Sequence, residues 1–268
     1  MTEMRKTLHT PLGAVSYLEG GTGAPLVLLH GIGSGAASWT AQIEAFSDRF
    51  RVIAWDAPGY GKSDQVSPDA PAATDYAAHL AGLLDALNIP ACHLVGHSLG
   101  AIVGCGFARI YPRRVTSLMI AAPATGYGKA DLETQNQRRA GRMSLMNELG
   151  PKGLARERHS NLLSEKAPRW ARIKVQDVMA QLRPEGYEQA VELLVKGDIK
   201  ADAAEILLDV TVVVGDADTI TPPVGCKAVA DSFQASSFKI LPDLGHACYV
   251  EGPGSFNAVL DEHLRKSL

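Results

Sequence analysis

The sequence predicts an α/β fold with a mostly parallel central sheet flanked by helices. Short apolar runs alternate with stretches whose apolar residues recur at helical spacing, which is typical of strands joined by right-handed helical crossovers. Between about residues 125 and 205 this alternation gives way to a long, charged stretch that is helical in pattern. The chain has 268 residues, 46% of them hydrophobic, so it is long enough to bury one large core.

The first half of the chain predicts six strands and three helices. Weak alternation over residues 5–19, around a Pro-Leu-Gly turn, indicates a hairpin of two strands. The next strands are apolar runs suited to burial on both faces, at 25–30, 51–55, 92–96 and 115–121. The helices between them are predicted at 36–47, 75–87 and 99–111.

The second half contains the interruption and then returns to alternation. No convincing strand pattern falls between residues 125 and 205, which predicts a helical insertion after the sixth strand. Strands follow at 210–214 and 237–241, and helices at 224–232 and 253–266. We therefore expect a core domain built from residues 1–124 and 206–268, with residues 125–205 inserted between its two parts.

Composition and charge exclude several classes of protein. A net charge of −3 argues against general nucleic-acid binding, and no apolar stretch approaches the roughly 18 residues that a membrane span needs. The first residues lack the apolar region of a signal peptide, and the four cysteines lack metal or redox spacing, so we expect a cytoplasmic protein without a metal. The glycines of residues 30–35 fit neither a P-loop nor a dinucleotide-binding loop, so no cofactor is expected. A homodimer is left open.

A G-x-S-x-G motif, residues 96–100 (GHSLG), connects a predicted strand to a predicted helix. At such a turn a Cβ on either glycine would collide with neighbouring backbone, while the serine hydroxyl is raised above the sheet edge. The N-terminus of the following helix also faces the negative charge that develops there. The motif alone is common by chance, but its place between strand and helix favours Ser98 as a nucleophile.

A serine nucleophile requires a histidine base that is oriented by a carboxylate. Of the eight histidines, His246 is favoured because it follows the last strand in a loop that can extend over the sheet edge. Asp218 follows the strand at 210–214 and is the predicted acid, with Asp216 as the nearer rival. We favour Asp218 because the loop needs a residue or two to bring the carboxylate to the histidine.

Acyl transfer also requires hydrogen-bond donors for a tetrahedral oxyanion. The backbone N–H of Leu99, directly after the nucleophile, is one candidate. The second is expected in the glycine-rich loop at residues 30–35 (HGIGSG), where the missing side chains let backbone amides approach the site. We choose the N–H of Ile32 there.

Together these motifs resemble the α/β-hydrolase superfamily over essentially the whole chain, and the chain order Ser98, Asp218, His246 is the order of that fold. The residues that carry the resemblance are 30–35 (HGIGSG), 56–64 (DAPGYGKSD), 96–100 (GHSLG), 215–223 (GDADTITPP) and 245–246 (GH). The resemblance implies the α/β-hydrolase fold, a Ser-His-Asp hydrolase and a helical lid formed by the insertion. Serine as the nucleophile argues against the relatives that use a carboxylate.

The motif HGIGSG followed by Ser38-Trp39 is similar to the branch of enol-lactonases and meta-cleavage-product C–C hydrolases of aromatic catabolism. C–C hydrolases usually have Asn before the nucleophile and Trp after the histidine, and a further Asn two residues beyond the tryptophan. This chain has His97, Ala247 and Ala41 at those positions. We therefore expect hydrolysis of an ester, lactone or amide of a small substrate through an acyl-enzyme, with C–C hydrolysis as the alternative. A lyase or acyltransferase using the same site is a third hypothesis, and a non-catalytic small-ligand-binding protein is a fourth.

The insertion differs in charge from the rest of the chain. Residues 128–183 contain twelve Lys or Arg and six Asp or Glu, so this stretch carries +6 and the remainder −9. Either one or two of these arginines bind a substrate carboxylate, or the charges form a solvated surface. The candidate substrate-pocket residues are Gly31, Trp39, His97, Arg138, Arg142, Met143 and Trp170.

Overall fold

An eight-stranded sheet forms the centre of the computed structural model, which describes residues 5–266. The strands are β1 (Lys6–Thr10), β2 (Gly13–Gly20), β3 (Ala24–Leu29), β4 (Phe50–Trp55), β5 (Cys92–His97), β6 (Val115–Ala121), β7 (Asp209–Gly215) and β8 (Ala235–Leu241). Their order across the sheet is β1-β2-β4-β3-β5-β6-β7-β8. The β1–β2 and β2–β4 pairs are antiparallel and the other five pairs are parallel. The predicted mostly parallel sheet is therefore confirmed.

Helices cover both faces of this sheet. In the described part of the chain they are α1 (Thr40–Phe46), α2 (Ala73–Ala86), α3 (Leu99–Ile110), α4 (Leu132–Arg158), α5 (Arg169–Met179), α6 (Pro184–Lys196), α7 (Ile199–Ala204), α8 (Pro223–Ala230), α9 (Cys248–Glu251) and α10 (Pro253–Arg265). None of these helices is both long and apolar enough to cross a membrane.

The central strands are apolar along their whole length because both of their sides are buried. In β3, Val27 and Leu29 belong to one core cluster, which also contains residues of α2, α3 and α8. Leu26 and Leu28 belong to a second cluster on the opposite face, with residues of α1 and α10. Successive side chains of a strand point to opposite faces, so a strand between two helical layers shows a continuous apolar run.

The parallel register brings several loops to one edge of the sheet. Leu29 near the end of β3 is paired with Gly96, Gly96 with Ile120, and Ile120 with Val212. The carboxyl ends of β3, β5, β6 and β7 therefore lie side by side, and the loops that follow them meet there. In open α/β sheets this edge is where ligands bind.

Between β6 and β7 the chain forms α4–α7, which we call the helical insertion. Its longest helix, α4, is divided by a kink at Gly150, whose φ of 63° lies in the left-handed region and which is followed by Pro151. A salt bridge from Arg139 to Glu192 joins α4 to α6. The Gln189 side chain accepts from the N–H of Val66 at 3.0 Å and donates to its carbonyl at 2.8 Å, which ties α6 to the core.

Two segments differ from the sequence-based prediction. The predicted helix at 36–47 begins as a 3-10 turn at Ala36–Trp39 and becomes α-helical only at α1. The carbonyl of Gly35 accepts from both the N–H and the Oγ of Ser38, a pattern that favours the tighter turn. The predicted loop before the last helix contains the short helix α9, in which the N–H groups of Val250 and Glu251 both donate to the carbonyl of Ala247.

Two histidines, His30 and His263, are buried, and their burial keeps them neutral. His30 donates from Nδ1 to the carbonyl of Gly31 at 2.8 Å and accepts at Nε2 from the N–H of Ala57 at 3.0 Å. His263 contacts Thr211 Oγ1 at 2.9 Å and Ser117 Oγ at 3.0 Å. Burial lowers the pKa of each of these two imidazoles to about 4.

We expect the free energy of unfolding to fall as the pH is lowered from about 6.5 towards 4. Unfolded histidine binds a proton near pH 6.5, whereas His30 and His263 resist protonation until about pH 4, so acid favours the unfolded chain by about 2 kcal/mol per histidine at pH 5. Urea unfolding at pH 7.5 and pH 5 measures this difference. His263→Gln should reduce it, while the same substitution at the exposed His9 serves as the control; an unchanged pH dependence in His263→Gln would contradict the prediction.

Candidate active site

Ser98 lies at the sharp turn between β5 and α3. Its backbone has a φ of 52° and a ψ of −112°, an unusual conformation for a residue with a side chain. A Cβ added to Gly96 would strike the carbonyl of Gly100, and one added to Gly100 would strike the carbonyl of Leu29. The turn therefore requires both glycines. Ser98 itself retains 6% exposure and faces a cavity at the sheet edge.

The predicted acid and base contact each other directly. His246 Nδ1 lies 2.9 Å from Asp218 Oδ2, and both residues are buried. His246 and Ser98 line the same cavity. The rival carboxylate, Asp216, is exposed, and its backbone N–H continues the pairing with β8 through the carbonyl of Leu241 at 3.0 Å. The geometry therefore favours Asp218 over Asp216 as the partner of the imidazole.

The Asp218 carboxylate is fixed by donors from its own loop. Oδ1 accepts from the N–H groups of Ile220 at 2.8 Å and Thr221 at 2.9 Å, and Oδ2 accepts from Thr221 Oγ1 at 2.7 Å. Burial alone would raise the pKa of this carboxyl, but the hydrogen bonds from His246 and Thr221 outweigh it and lower the pKa below its ordinary value. Asp218 is therefore an ionised, immobile partner for the imidazole.

Sequence reasoning missed Thr221. Its hydroxyl also lies 3.1 Å from His246 Nδ1 and 3.1 Å from the carbonyl of Ala122, so it connects the acid loop to two neighbouring segments. An Asp followed three residues later by Thr is a local pattern in which side chain and backbone hydrogen-bond to each other. That pattern at residues 218–221 was the signal that could have found it.

The two predicted oxyanion donors both line the cavity beside Ser98. Leu99 is the first residue of α3, where a helix amide has no intrahelical acceptor. Neither its N–H nor that of Ile32 donates a hydrogen bond within residues 5–266. Tyr60 donates to the carbonyl of Ile32 at 2.8 Å, which fixes the peptide group that directly follows the candidate donor. A Cβ on Gly31 would lie 3.1 Å from Ser98 Cβ, so glycine lets the loop lie against the serine.

His97 is buried between the candidate base and an aromatic ring. Its ring centroid is 4.7 Å from that of His246 and 4.7 Å from that of Tyr249. Its Nε2 lies 3.0 Å from the carbonyl of His246, so this nitrogen carries the proton and donates. Burial, together with the nearby His246, lowers the pKa of His97 to about 3. It is therefore a neutral side chain in the wall of the cavity.

The cavity, of about 580 Å³, lies between the sheet edge and the helical insertion. Much of its wall is apolar, formed by residues such as Leu145, Leu154, Leu162, Val175, Val178 and Met179. The insertion adds four basic side chains, those of Arg138, Arg142, Arg158 and Lys174. None of the described residues that line the cavity is an Asp or Glu. The site is therefore an apolar chamber with an excess of positive charge.

Four of the seven predicted pocket residues line this cavity, and three do not. Gly31, His97, Arg138 and Arg142 are in its wall. Trp39 is fully buried, with its ring stacked on Tyr249 at a centroid distance of 3.9 Å, so it supports the wall from behind. Met143 packs on the hydrophobic core instead, and Trp170 projects from α5 with 51% exposure. The structure does not bring these three side chains into the cavity wall, because neither a motif nor helical periodicity fixes which side of a turn or helix meets the cavity.

Sequence reasoning also missed Arg158, Lys174 and Tyr249 as wall residues. Tyr249 donates to Ser38 Oγ at 2.9 Å and lies 3.2 Å from Ser34 Oγ, so it braces the loop that carries Ile32. Among residues 5–266 there is no group of three His, Cys, Asp or Glu side chains arranged to hold a metal ion.

The fold and this site define an α/β hydrolase. Residues 26–259 match the alpha/beta hydrolase family, so the chain belongs to that family. Its relatives include 3-oxoadipate enol-lactonase 2 of Acinetobacter baylyi, 26% identical over 90% of this chain and 88% of that protein. A 2-hydroxy-6-oxononadienedioate/2-hydroxy-6-oxononatrienedioate hydrolase of Burkholderia vietnamiensis is 43% identical, over 42% of this chain and 41% of that protein. A malate-bound thermophilic esterase of Thermogutta terrifontis superimposes with a TM-score of 0.88 at 28% identity, covering 98% of this chain and 99% of that one.

Thr221→Val should lower kcat for hydrolysis of p-nitrophenyl acetate about threefold to tenfold. The substitution keeps the side-chain shape but removes the hydroxyl that donates to Asp218. The lost hydrogen bond contributes about 1 kcal/mol to holding Asp218 in place beside the imidazole. Steady-state kinetics measure the effect. Thr219→Val, at an exposed neighbour, is the matched control, and equal kcat values for the two variants would contradict the prediction.

Proposed function

We propose that the protein is a serine hydrolase that uses Ser98, His246 and Asp218 as a catalytic triad. The observation that carries the proposal is the short contact between the ionised Asp218 and His246, which lines the same cavity as Ser98. Asp218 binds the Nδ1–H of His246 and so leaves Nε2 unprotonated, ready to act as a base. The whole-chain likeness to an esterase structure supports this assignment.

The reaction proceeds in two steps, acylation of the serine and hydrolysis of the acyl-serine. Ser98 Oγ attacks the substrate carbonyl while His246 takes its proton, and the N–H groups of Ile32 and Leu99 bind the resulting oxyanion. His246 then gives the proton to the departing alcohol or amine, which leaves an acyl-serine. Water attacks this acyl group by the same route, and the acid and the free serine are released. The helical insertion forms part of the cavity wall and so limits the access of bulk water to the reacting groups.

The substrate we propose is a small ester or lactone that carries a carboxylate. Arg138, Arg142 and Arg158 give the cavity a positive field that no lining carboxylate offsets, and guanidinium groups bind carboxylates in a bidentate manner. The matched esterase structure is described with malate, a dicarboxylate, bound, and the enol-lactonase relative is named for an acidic substrate. The cavity lies between the sheet edge and the helical insertion. A substrate whose scissile carbonyl lies at Ser98 and whose carboxylate is bound by arginines of the insertion fits this arrangement.

Hydrolysis of a C–C bond is the second candidate. The relative with 43% identity is named as a hydrolase of 2-hydroxy-6-oxo dienedioates, which are also acids. Its match spans less than half of either chain. His97 and Ala247, at two of the three positions where this chain departs from the usual residues of C–C hydrolases, both line the cavity. We therefore place ester or lactone hydrolysis first.

The four cysteines are buried and free, which suits the reducing cytoplasm as the place of action.

An active-site probe tests the proposed nucleophile. A fluorophosphonate should label the wild-type protein at one serine and leave Ser98→Ala unlabelled, as measured by intact mass and peptide mapping. Ser98→Ala should also lower hydrolysis of p-nitrophenyl esters by about 10³-fold or more. Ser34→Ala, at another serine in the cavity wall, is the matched control. Labelling of Ser98→Ala equal to that of the wild type would contradict the proposal.

A charge-matched ester pair tests the proposed substrate class. The wild type should prefer mono-p-nitrophenyl adipate to p-nitrophenyl hexanoate. The double variant Arg142→Gln with Arg158→Gln should lower kcat/KM for the adipate ester about 10- to 100-fold, because a charge-assisted hydrogen bond contributes about 1.5–3 kcal/mol. The neutral ester should be little affected. Arg156→Gln, on the same helix but outside the cavity wall, is the control. An equal loss on both esters would contradict a carboxylate site.

A further inference from the structure

The loop that carries His246 is bound on both sides by one segment of the helical insertion, residues 162–164. After the histidine, the N–H of Ala247 donates to the carbonyl of Leu162 at 2.7 Å. Before it, the N–H of Gly245 donates to Glu251 Oε2 at 2.8 Å, and the same carboxylate binds Ser164. The insertion and the candidate base are therefore connected through a side chain that the mechanism above does not use.

Glu251 is a buried carboxylate surrounded by hydrogen-bond donors. It is 5% exposed and lies at the end of α9, five residues after His246. Ser164 donates its N–H to both carboxylate oxygens, at 3.1 and 3.2 Å, and its hydroxyl to Oε1. No salt bridge within residues 5–266 involves Glu251. A buried charge without a cation is expensive to keep, so its hydrogen bonds account for its presence there.

The backbone of the insertion touches this loop directly. A Cβ on Gly245 would lie 2.5 Å from the carbonyl carbon of Leu163 and 2.6 Å from the N of Ser164. Glycine at this position therefore lets the two segments lie in contact. With the backbones this close, the N–H groups of Gly245 and Ser164 both face the same carboxylate, and their separation is set by it.

We propose that Glu251 is a positioning residue, which fixes the His246 imidazole relative to Ser98 by binding the Gly245 amide and Ser164 together. This inference rests on the proposed serine-hydrolase function. The carboxylate touches no reacting atom and moves no proton. It accepts from the residue directly before His246, so a change in its position moves the imidazole. A displacement of about 1 Å at a catalytic group lowers the rate by up to about 100-fold.

The chemistry of the contact requires a carboxylate rather than an amide. Both oxygens of Glu251 accept hydrogen bonds, and an ionised carboxylate is an acceptor at each oxygen. Glutamine has the same shape, but its NH₂ would replace either Oε2, the acceptor for the N–H of Gly245, or Oε1, one of the two acceptors for the N–H of Ser164. At least one of these hydrogen bonds is then lost, so the contact that holds the two segments together is weakened.

The test compares Glu251→Gln with the wild type after active-site titration with a fluorophosphonate. We expect kcat for p-nitrophenyl acetate, per titrated site, and the rate constant of fluorophosphonate labelling to fall together about 10- to 100-fold, with KM changed less than about threefold. Glu192→Gln is the matched control, because it breaks a salt bridge within the insertion away from the His246 loop and should leave both rates near wild type. Ser164→Ala, which removes only the hydroxyl donor, should lower both rates about threefold.

A purely structural role would lower the thermal midpoint of Glu251→Gln and leave kcat per titrated site unchanged, and that result would overturn the inference. If Glu251→Gln does not fold, wild-type rates in folded Ser164→Ala would overturn it instead. Failure of the proposed function has a different signature, since the wild-type protein itself would then resist fluorophosphonate labelling.

Discussion

The turn between β5 and α3 has no room for a side chain two residues before or two residues after Ser98, and much of the site depends on this crowding. Because Gly96 and Gly100 have no side chain, α3 starts close above the sheet, and its first residue, Leu99, lines the same cavity as Ser98. Gly31 has the same effect in the neighbouring loop, which can lie against Ser98 because Gly31 has no Cβ. The serine and its two candidate oxyanion donors are thus brought together by close backbone contacts, and the Tyr60 and Tyr249 side chains brace the loop of Ile32.

A parallel sheet then determines where the other groups arrive. The paired ends of β5, β6 and β7 place the Asp218 loop beside the nucleophile turn, and the loop after β8 brings His246 across. Two kinds of electrostatics meet at this edge. The core supplies a buried carboxylate whose charge is stabilised by local hydrogen-bond donors, whereas the insertion adds basic residues to the wall of an apolar chamber. The net charge of −3 conceals this division between an acidic core and a basic insertion.

Local sequence was sufficient for the features that depend on strand ends and on glycine. The fold class follows from alternating apolar runs, and the positions of Ser98, Asp218 and His246 follow from the strands that precede them. The remaining features depend on which side of each helix or turn faces the cavity and on contacts between residues far apart in the sequence. Met143 lies one residue after Arg142, yet it packs on the core while Arg142 faces the cavity, and Trp39 supports the wall without reaching its surface. Glu251 and its partner Ser164 are separated by 87 residues in the sequence, a distance over which no local pattern carries information.

The contact between residues 162–164 and the His246 loop has a consequence for how such enzymes diversify. An inserted segment that covers a site is often treated as an exchangeable module, replaced to obtain a new specificity while the catalytic core is kept. Here the insertion shares its hydrogen bonds with the loop of the candidate base, through Ala247 and Glu251. A transplanted insertion retains an intact base only when it brings a backbone carbonyl and a serine-like donor to the same two places. New specificity in this scaffold is therefore more accessible by side-chain replacement within the insertion than by exchange of the whole segment.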